Sequence, residues 1–582
     1  MMGKRMNEWT PSGEATSPPV ETTKTSTTGA AALIDALAAL GTRYIFGIPG
    51  THTLLPYDLL HEHPTIRPII LRHEAGAGFA ADGYARVTGR TGICFVVPGP
   101  GATNVATAAL VASSDRVPLI LITASVPNQL QGRGAVHDAD LELIFRPLVK
   151  AQIVVNHAEE IPAAVLRSSE IAQAEPPGPV QLLIPYDLFG RTLAAPIEAA
   201  APQLNDPFRG ASLPPVEELE RVLAILLEAH SPLLYAGHGV VRAGAGPALI
   251  ALAEALEAPV LTSNKARGVI SEDHPLAAGV PSMAGAATLT RAADVCLALG
   301  TRFNEYTTLT WRLPLPSRLV RVDRDPAVLD QNYPAEVGLC GDVAAILDWL
   351  VERMPTPRES PAELQPAVTA LRERRQAANH EFMADHATSS APFHPRFVAR
   401  LLRDALPADA IVTSDGSATE SWLYEPGFTV TRPSTLIMPE IQQTMGFAVG
   451  AAIGAALGAP DRPVVAVVGD GSLTMALGEL ATLVSEGIPL TVVVFNDGTY
   501  NALRVRQDAL FSQRFVGTLL GAVDFAQVAH GLGLSGSRIA SATELRERFA
   551  EAAAPRQPLL IDVPIDPTPL SERYTAVVEA GG

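Results

Sequence analysis

Val464-Val465-Ala466-Val467-Val468-Gly469-Asp470-Gly471-Ser472 is followed, after a helical stretch, by Leu490-Thr491-Val492-Val493-Val494-Phe495-Asn496-Asp497-Gly498-Thr499. Each segment is an apolar, β-branched run of strand length that ends in an acid beside glycine. Asp470 and Asp497 are 27 positions apart, about one strand–helix–strand crossover. That spacing predicts neighbouring parallel strands with both carboxylates at their carboxyl ends. Glycine there lets backbone N–H groups close on an anion. Two hard oxygen ligands beside it suit a divalent cation bridging to a diphosphate, magnesium above all. Asp-Gly and Asn-Asp-Gly are also ordinary turn sequences, so these segments alone leave a turn reading open.

The same alternation of short apolar runs and Ala/Leu-rich amphipathic stretches extends along the 582 residues. It predicts an α/β chain of three doubly wound parallel-sheet domains. Their expected bounds are 29–195, 216–354 and 393–567, with a Pro-containing passage after the first and a linker with a charged helix at 355–392. Residues 1–28 lack the apolar core of a signal peptide and read as a disordered extension; 568–582 read as a C-terminal tail. The longest near-continuous apolar run, Met445 to Ala459, is about fifteen residues, short of the roughly 20 needed to span a bilayer. No membrane association is expected.

Formal charge is −18, from 43 Lys+Arg against 61 Asp+Glu, which disfavours nucleic acid and anionic lipid as partners. Cys94, Cys296 and Cys340 are far apart and form no CxxC pair, so neither a disulfide framework nor a zinc cluster has material. A reducing, cytoplasmic setting follows.

A second informative stretch lies upstream: Arg72-His73-Glu74-Ala75-Gly76-Ala77-Gly78-Phe79-Ala80-Ala81-Asp82-Gly83-Tyr84-Ala85-Arg86. Taken with Gly469-Asp470-Gly471 and Asn496-Asp497, it resembles the thiamine-diphosphate (ThDP) enzymes, in their acetolactate-synthase-like branch. Gly47-Ile48-Pro49-Gly50, Gly99-Pro100-Gly101-Ala102-Thr103-Asn104 and the segment from Gly134 to Lys150 are similar to that family's pyrimidine-binding domain. Ser271 to Pro275 and Leu299 to Phe303 resemble its central domain, and Thr444-Met445-Gly446 resembles the segment that props the cofactor into a bent shape.

The resemblance implies ThDP and Mg2+ as cofactors. Asp470, the Asp497 side chain and the Thr499 carbonyl would be metal ligands. Pro49, Gly50, Glu74, Asn104, Ser417, Thr444, Met445, Gly469, Gly471 and Ser472 would line the cofactor site. Glu74 would donate to the aminopyrimidine ring and favour the tautomer that removes the thiazolium proton. Asp497 stands where Asn is commoner, which keeps an oxygen ligand and adds charge. Because Glu74 and Asp470 lie in different domains, the family's architecture implies a homodimer at minimum, with a homotetramer common.

The implied reaction is decarboxylation of a small-molecule 2-oxo acid followed by ligation to a second carbonyl; release of an aldehyde is the alternative. Departures from biosynthetic acetolactate synthases are Val136-His137 in place of Phe-Gln, Arg506 in place of Trp, and Arg302 to Thr308 without D-x-x-T-G. The last of these argues against FAD. His52 and His137 thereby become candidates to relay a proton or hold a substrate carboxylate. Short loops around them also resemble a decarboxylase of the guanidino 2-oxo acid derived from arginine. An NAD(P)-dependent oxidoreductase is disfavoured, since Gly237-His238-Gly239 with Gly244 lacks the GxGxxG spacing.

Overall fold

The computed structural model describes residues 27–193, 213–355 and 363–579. The expected N-terminal extension, except for its last two residues, and the passage at 194–212 lie outside them. Thr28 is already part of the fold: its hydroxyl accepts from Ala31 N at 3.2 Å, and it bridges to Thr192.

Three six-stranded parallel sheets form the body of the chain. The first runs, edge to edge, Arg67–Ile70, Tyr44–Gly47, Gly92–Val96, Leu119–Ser125, Pro179–Pro185, Ala151–Val154. The third repeats that connectivity with Leu436–Ile437, Ile411–Ser414, Val464–Gly469, Thr491–Asn496, Leu559–Pro564 and Ser535–Arg538. In both, chain order reverses beside the first strand, and ligands collect outside the carboxyl ends at such a switch point. The central sheet runs Val337–Cys340, Arg318–Asp323, Val295–Leu299, Pro232–Ala236, Val260–Thr262, Ala277–Gly279. Its order is the one associated with dinucleotide binding, without the glycine spacing that would go with it.

The run that is too short for a membrane is the helix Phe447–Gly458, buried along nearly its whole length. Among the described residues no helix is long and apolar enough to cross a membrane. Phe447–Gly458 packs on helix Glu74–Thr88, and glycine sets the spacing. A Cβ at Gly454 would sit 1.8 Å from Ala80 O, and one at Gly83 would sit 2.0 Å from Ala451 O. Ala and Gly therefore fill this interface because larger side chains would force the backbones apart.

An ion network closes the junction of the three sheets. Arg86 bonds Asp82 at 2.5 Å and Asp115 at 2.8 Å, and Lys265 reaches Asp115 at 2.8 Å. Asp115 Oδ2 accepts from Glu440 N at 3.3 Å. Burial pushes the Asp115 acid up, but Lys265 and Arg86 together outweigh it and hold the carboxyl well below the usual range.

Two helical stretches are divided. After Val464–Gly469 the chain turns helical at once, with Asp470–Met475 first and then Glu479–Glu486. Gly469 is thus the N-cap of this helix and Gly471 lies in its first turn, where backbone N–H groups have no partner within the helix. After Gly92–Val96 the helix comes in two pieces, Pro100–Asn104 and Ala106–Asp115, broken at Val105. Proline at the first helical position starts the chain turning as soon as the Gly99 loop ends.

Candidate active site

Next to the switch point of the third sheet, Val464–Gly469 pairs with Thr491–Asn496 in a register that sets Gly469 opposite Phe495. Asp470 and Asp497 therefore leave adjacent strand ends, as the spacing predicts. Asp470 is 5% exposed. Its two oxygens accept from Gly471 N at 2.8 Å and Gly498 N at 2.7 Å. Asp497 Oδ1 accepts from Thr499 N and Thr499 Oγ1, both at 2.9 Å. Burial, then the Asp497 charge, push the Asp470 acid up to about 7. Burial raises Asp497 as well.

Two facing acids held only by N–H and O–H donors are well suited to a cation, which would return both to the ionised form. Among the described residues no three His, Cys, Asp or Glu side chains form a metal cluster. Magnesium does not need one, since it binds through one or two carboxylates and keeps water and phosphate oxygens.

The loops around this pair fit an anion. Gly469 and Gly471 follow the strand, and a Cβ at Gly471 would meet the Tyr500 ring at 2.4 Å. Ser472 is 2% exposed; its hydroxyl lies near Asp415 yet makes no hydrogen bond of proper geometry. Ser417 caps the helix Ala418–Trp422 by accepting from Thr419 N at 3.2 Å. Gly416 N donates to Thr444 O at 3.2 Å, drawing Thr444 and Met445 to the same strand ends. The residues named for ThDP and Mg2+ in this sheet are thus assembled in one place.

The remaining candidates collect at the switch point of the first sheet. Pro49 and Gly50 form the turn after Tyr44–Gly47, and Gly50 N donates to Thr53 Oγ1 at 3.1 Å. Glu74 opens helix Glu74–Thr88 and accepts from Asn104 Nδ2 at 2.9 Å. Val97 joins these pieces: a Cβ at Gly50 or at Gly101 would touch it at 2.6 Å, and one at Gly101 would lie 3.3 Å from Glu74 Oε1.

His52 and His137 meet with ring centroids 4.9 Å apart, and His52 is 4.7 Å from the Tyr186 ring. The Nδ1 atom of each is buried without a hydrogen-bond partner. Burial, then the neighbouring His137, lower the pKa of His52. His137 has φ 66° and its backbone covers Gly99. No hydrogen bond among the described residues joins the Glu74 cluster to the Asp470 cluster.

Family models match the chain in sequence order: the N-terminal TPP binding domain of thiamine pyrophosphate enzymes over residues 27–143, their central domain over 219–350, and their C-terminal TPP binding domain over 415–563. The chain belongs to the thiamine diphosphate enzymes. Among its relatives, the acetolactate synthase large subunit of Corynebacterium glutamicum is 32% identical over 546 residues, covering 92% of this chain and 86% of that protein. The probable acetolactate synthase large subunit of Methanocaldococcus jannaschii is 31% identical, covering 95% of each. A probable 2-ketoarginine decarboxylase of Pseudomonas aeruginosa is 36% identical, covering 88% of this chain and 90% of that protein. These place the ThDP enzyme in the acetolactate-synthase-like branch.

Three residues of the ThDP-enzyme framework escape a reading of motifs. Asp415 ends strand Ile411–Ser414 and accepts from Ala448 N at 2.8 Å, fixing the helix Phe447–Gly458 to the site. The pattern of apolar strand, Asp and Gly that flagged Asp470 also marks Ser414-Asp415-Gly416. Glu479 accepts from His73 N at 3.0 Å and Arg72 N at 3.2 Å, docking the segment before Glu74 on the start of helix Glu479–Glu486. Glu420 is fully buried beside Gln443. Neither glutamate carries a sequence signal, because a lone acid in a helix reads as a solvated one.

Proposed function

We propose that the chain is a ThDP- and Mg2+-dependent carboligase: it decarboxylates a pyruvate-like 2-oxo acid and joins the remaining fragment to a second carbonyl. The observation that carries this reading is the pair of clusters, Asp470 with Asp497 and Glu74 with Asn104, each beyond the carboxyl ends of the strands of its own sheet. The acetolactate synthase relatives support the carboligase outcome.

Asp470, Asp497 and the Thr499 carbonyl would hold the cation, while Gly469, Gly471 and the Ser472 hydroxyl face the diphosphate. Ser417, Thr444 and Met445 complete that side; Pro49, Gly50 and Asn104 complete the pyrimidine side. Bound ThDP supplies an electron sink into which the bond to CO2 can break. Glu74 holds a proton at the pyrimidine nitrogen, and Asn104 Nδ2 fixes the carboxyl that does so. His52 and His137, each with a nitrogen free of protein partners, hold the substrate carboxylate or pass a proton to the product carbon.

The two clusters are completed between two copies of the chain, so a homodimer is the smallest active unit and a tetramer its doubling. Exposed leucines flank each cluster in support: Leu54, Leu55 and Leu59 follow His52, while Leu503, Leu510 and Leu519 follow Asp497. A cytoplasmic setting suits three free cysteines.

A second reading, aldehyde release from a guanidino or other long-chain 2-oxo acid, is favoured by the half-buried imidazole pair and by the 2-ketoarginine decarboxylase relative. Reconstitution with ThDP and Mg2+, a panel of 2-oxo acids, and measurement of CO2 beside the organic product separates the two. No CO2 from any acid, together with no thermal shift on adding ThDP, overturns both. His137→Ala should alter substrate preference or product partition; an unchanged profile removes His137 from the site.

A further inference from the structure

The stretch after strand Leu559–Pro564 reads in the sequence as a tail, yet it crosses the molecule in a fixed path. Asn501 Nδ2 donates to Pro567 O at 3.3 Å, and Arg504 Nη2 donates to the same carbonyl. Ser571 is buried. Glu572 N donates to Glu425 Oε1 at 2.6 Å, and Glu572 Oε2 accepts from Ala284 N at 2.8 Å. Arg573 then inserts between domains, its guanidinium 3.9 Å from the Tyr306 ring centroid and Nη1 2.8 Å from Glu420 Oε1.

Glu420 is 0% exposed, and its two oxygens point different ways. Oε1 takes Arg573, and Oε2 accepts from Gln443 Nε2 at 3.4 Å. Gln443 also donates from Nε2 to Glu440 O at 3.0 Å and from its backbone N to Pro439 O at 3.0 Å. It sits at φ 45°, a left-handed conformation that a non-glycine residue keeps only where its surroundings impose it. A Cβ at Gly416 would lie 2.2 Å from Gln443 Cα, so the two loops touch backbone to backbone. Thr444 and Met445 follow directly.

We propose that Glu420 and Arg573 are positioning residues for cofactor binding: the pair locks the C-terminal segment over the site and, through Gln443, holds the loop 440–446 in the shape that receives ThDP. This rests on the ThDP reading above. The physical reason is that burial pushes the Glu420 acid up to about 7 while Arg573 pulls it back toward the charged form, and an Arg fork stacked on an aromatic ring is held in a single orientation. Without Arg573, Glu420 loses the contact that fixes its Oε1, and the Oε2 that accepts from Gln443 is no longer held in one orientation.

Isothermal titration of the full-length protein with ThDP at saturating Mg2+ tests the proposal. Arg573→Ala should weaken ThDP binding about tenfold, equivalent to about 1.4 kcal/mol, with a smaller change in kcat once ThDP is saturating. Arg573→Ala also leaves the buried Glu420 acid without its cation, so the double variant Arg573→Ala/Glu420→Gln is the deciding one. It removes the acid and should recover thermal stability while ThDP binding stays weak. Binding that returns to wild type in the double variant, or is unchanged in Arg573→Ala, overturns the positioning role. A wild-type protein that binds no ThDP overturns the parent reading and this one with it.

Discussion

Glu74→Gln separates chemistry from folding. Glu74 is half-buried at the first position of helix Glu74–Thr88, and one oxygen accepts from Asn104 Nδ2 at 2.9 Å. Gln keeps the volume and an acceptor oxygen. It gives up a favourable charge at a helix N-terminus, about 0.3–1 kcal/mol, and turns a charge-assisted hydrogen bond into a neutral one, about 1 kcal/mol. The stability cost is therefore about 1–2 kcal/mol at most. The catalytic cost belongs to a different scale: a positioned acid or base contributes about 10²–10⁴-fold, about 3–5 kcal/mol of barrier. Denaturant unfolding should show a small shift in midpoint with unchanged slope. Exchange of the C2 proton of added ThDP with deuterium, followed by NMR, should slow by at least a hundredfold, and CO2 release should fall with it. Wild-type exchange in a folded Glu74→Gln protein would refute the role, and a loss of activity matched by a loss of folding would reduce Glu74 to a helix-capping residue.

Asp470→Asn keeps one of the two acceptors for Gly471 N and Gly498 N and sets an NH2 against the other, a loss of about 1–3 kcal/mol; it should fold, but should need at least about tenfold more Mg2+ for the ThDP-dependent thermal shift, since one of two acids at the cation is lost. Gly454→Ala places a methyl 1.8 Å from Ala80 O and should cost about 3 kcal/mol or more in chemical denaturation; an unchanged midpoint would refute the close helix crossing. Glu425 is 5% exposed, and burial, then the Glu572 charge, push its acid from 4.5 to about 7, against the pull of Arg396 and the Glu572 N–H. The folded chain thus holds this proton more tightly than the unfolded one. The stabilisation is complete below about pH 4.5 and is lost as pH rises through about 7, a change of about 3 kcal/mol at most. Glu425→Gln should flatten that slope in denaturant midpoints measured from pH 5 to 8; an identical slope in both proteins would refute it.

Much of the framework is legible along the chain because it rests on local signals. An apolar run of strand length ending in Asp and Gly places Asp470 and Asp497, and a crossover-length interval puts them on adjacent strands, as the register of Gly469 with Phe495 shows. The helix of Glu74 declares itself through its Ala and Gly content. Edge strands such as Leu436–Ile437, Val337–Cys340 and Ser535–Arg538 were not visible, because they are short and their polar or glycine residues lack a strand pattern. Nor was the helical start at Asp470 visible, because glycine reads as a breaker, whereas here Gly471 lies in the first turn of a helix.

By itself, then, the sequence determined three parallel sheets, the acids at their strand ends, and the family whose cofactor those acids suit. These are properties of periodicity and of residues close together in the chain. Only the tertiary structure decided that His52 lies against His137, that Glu479 docks the segment before Glu74, and that Arg573 reaches Glu420 across 153 residues. Each of these is a polar group whose meaning depends on its burial and on the one partner brought to it. Neither is written in local pattern, because desolvation and Coulomb attraction act through space and take no account of position along the chain.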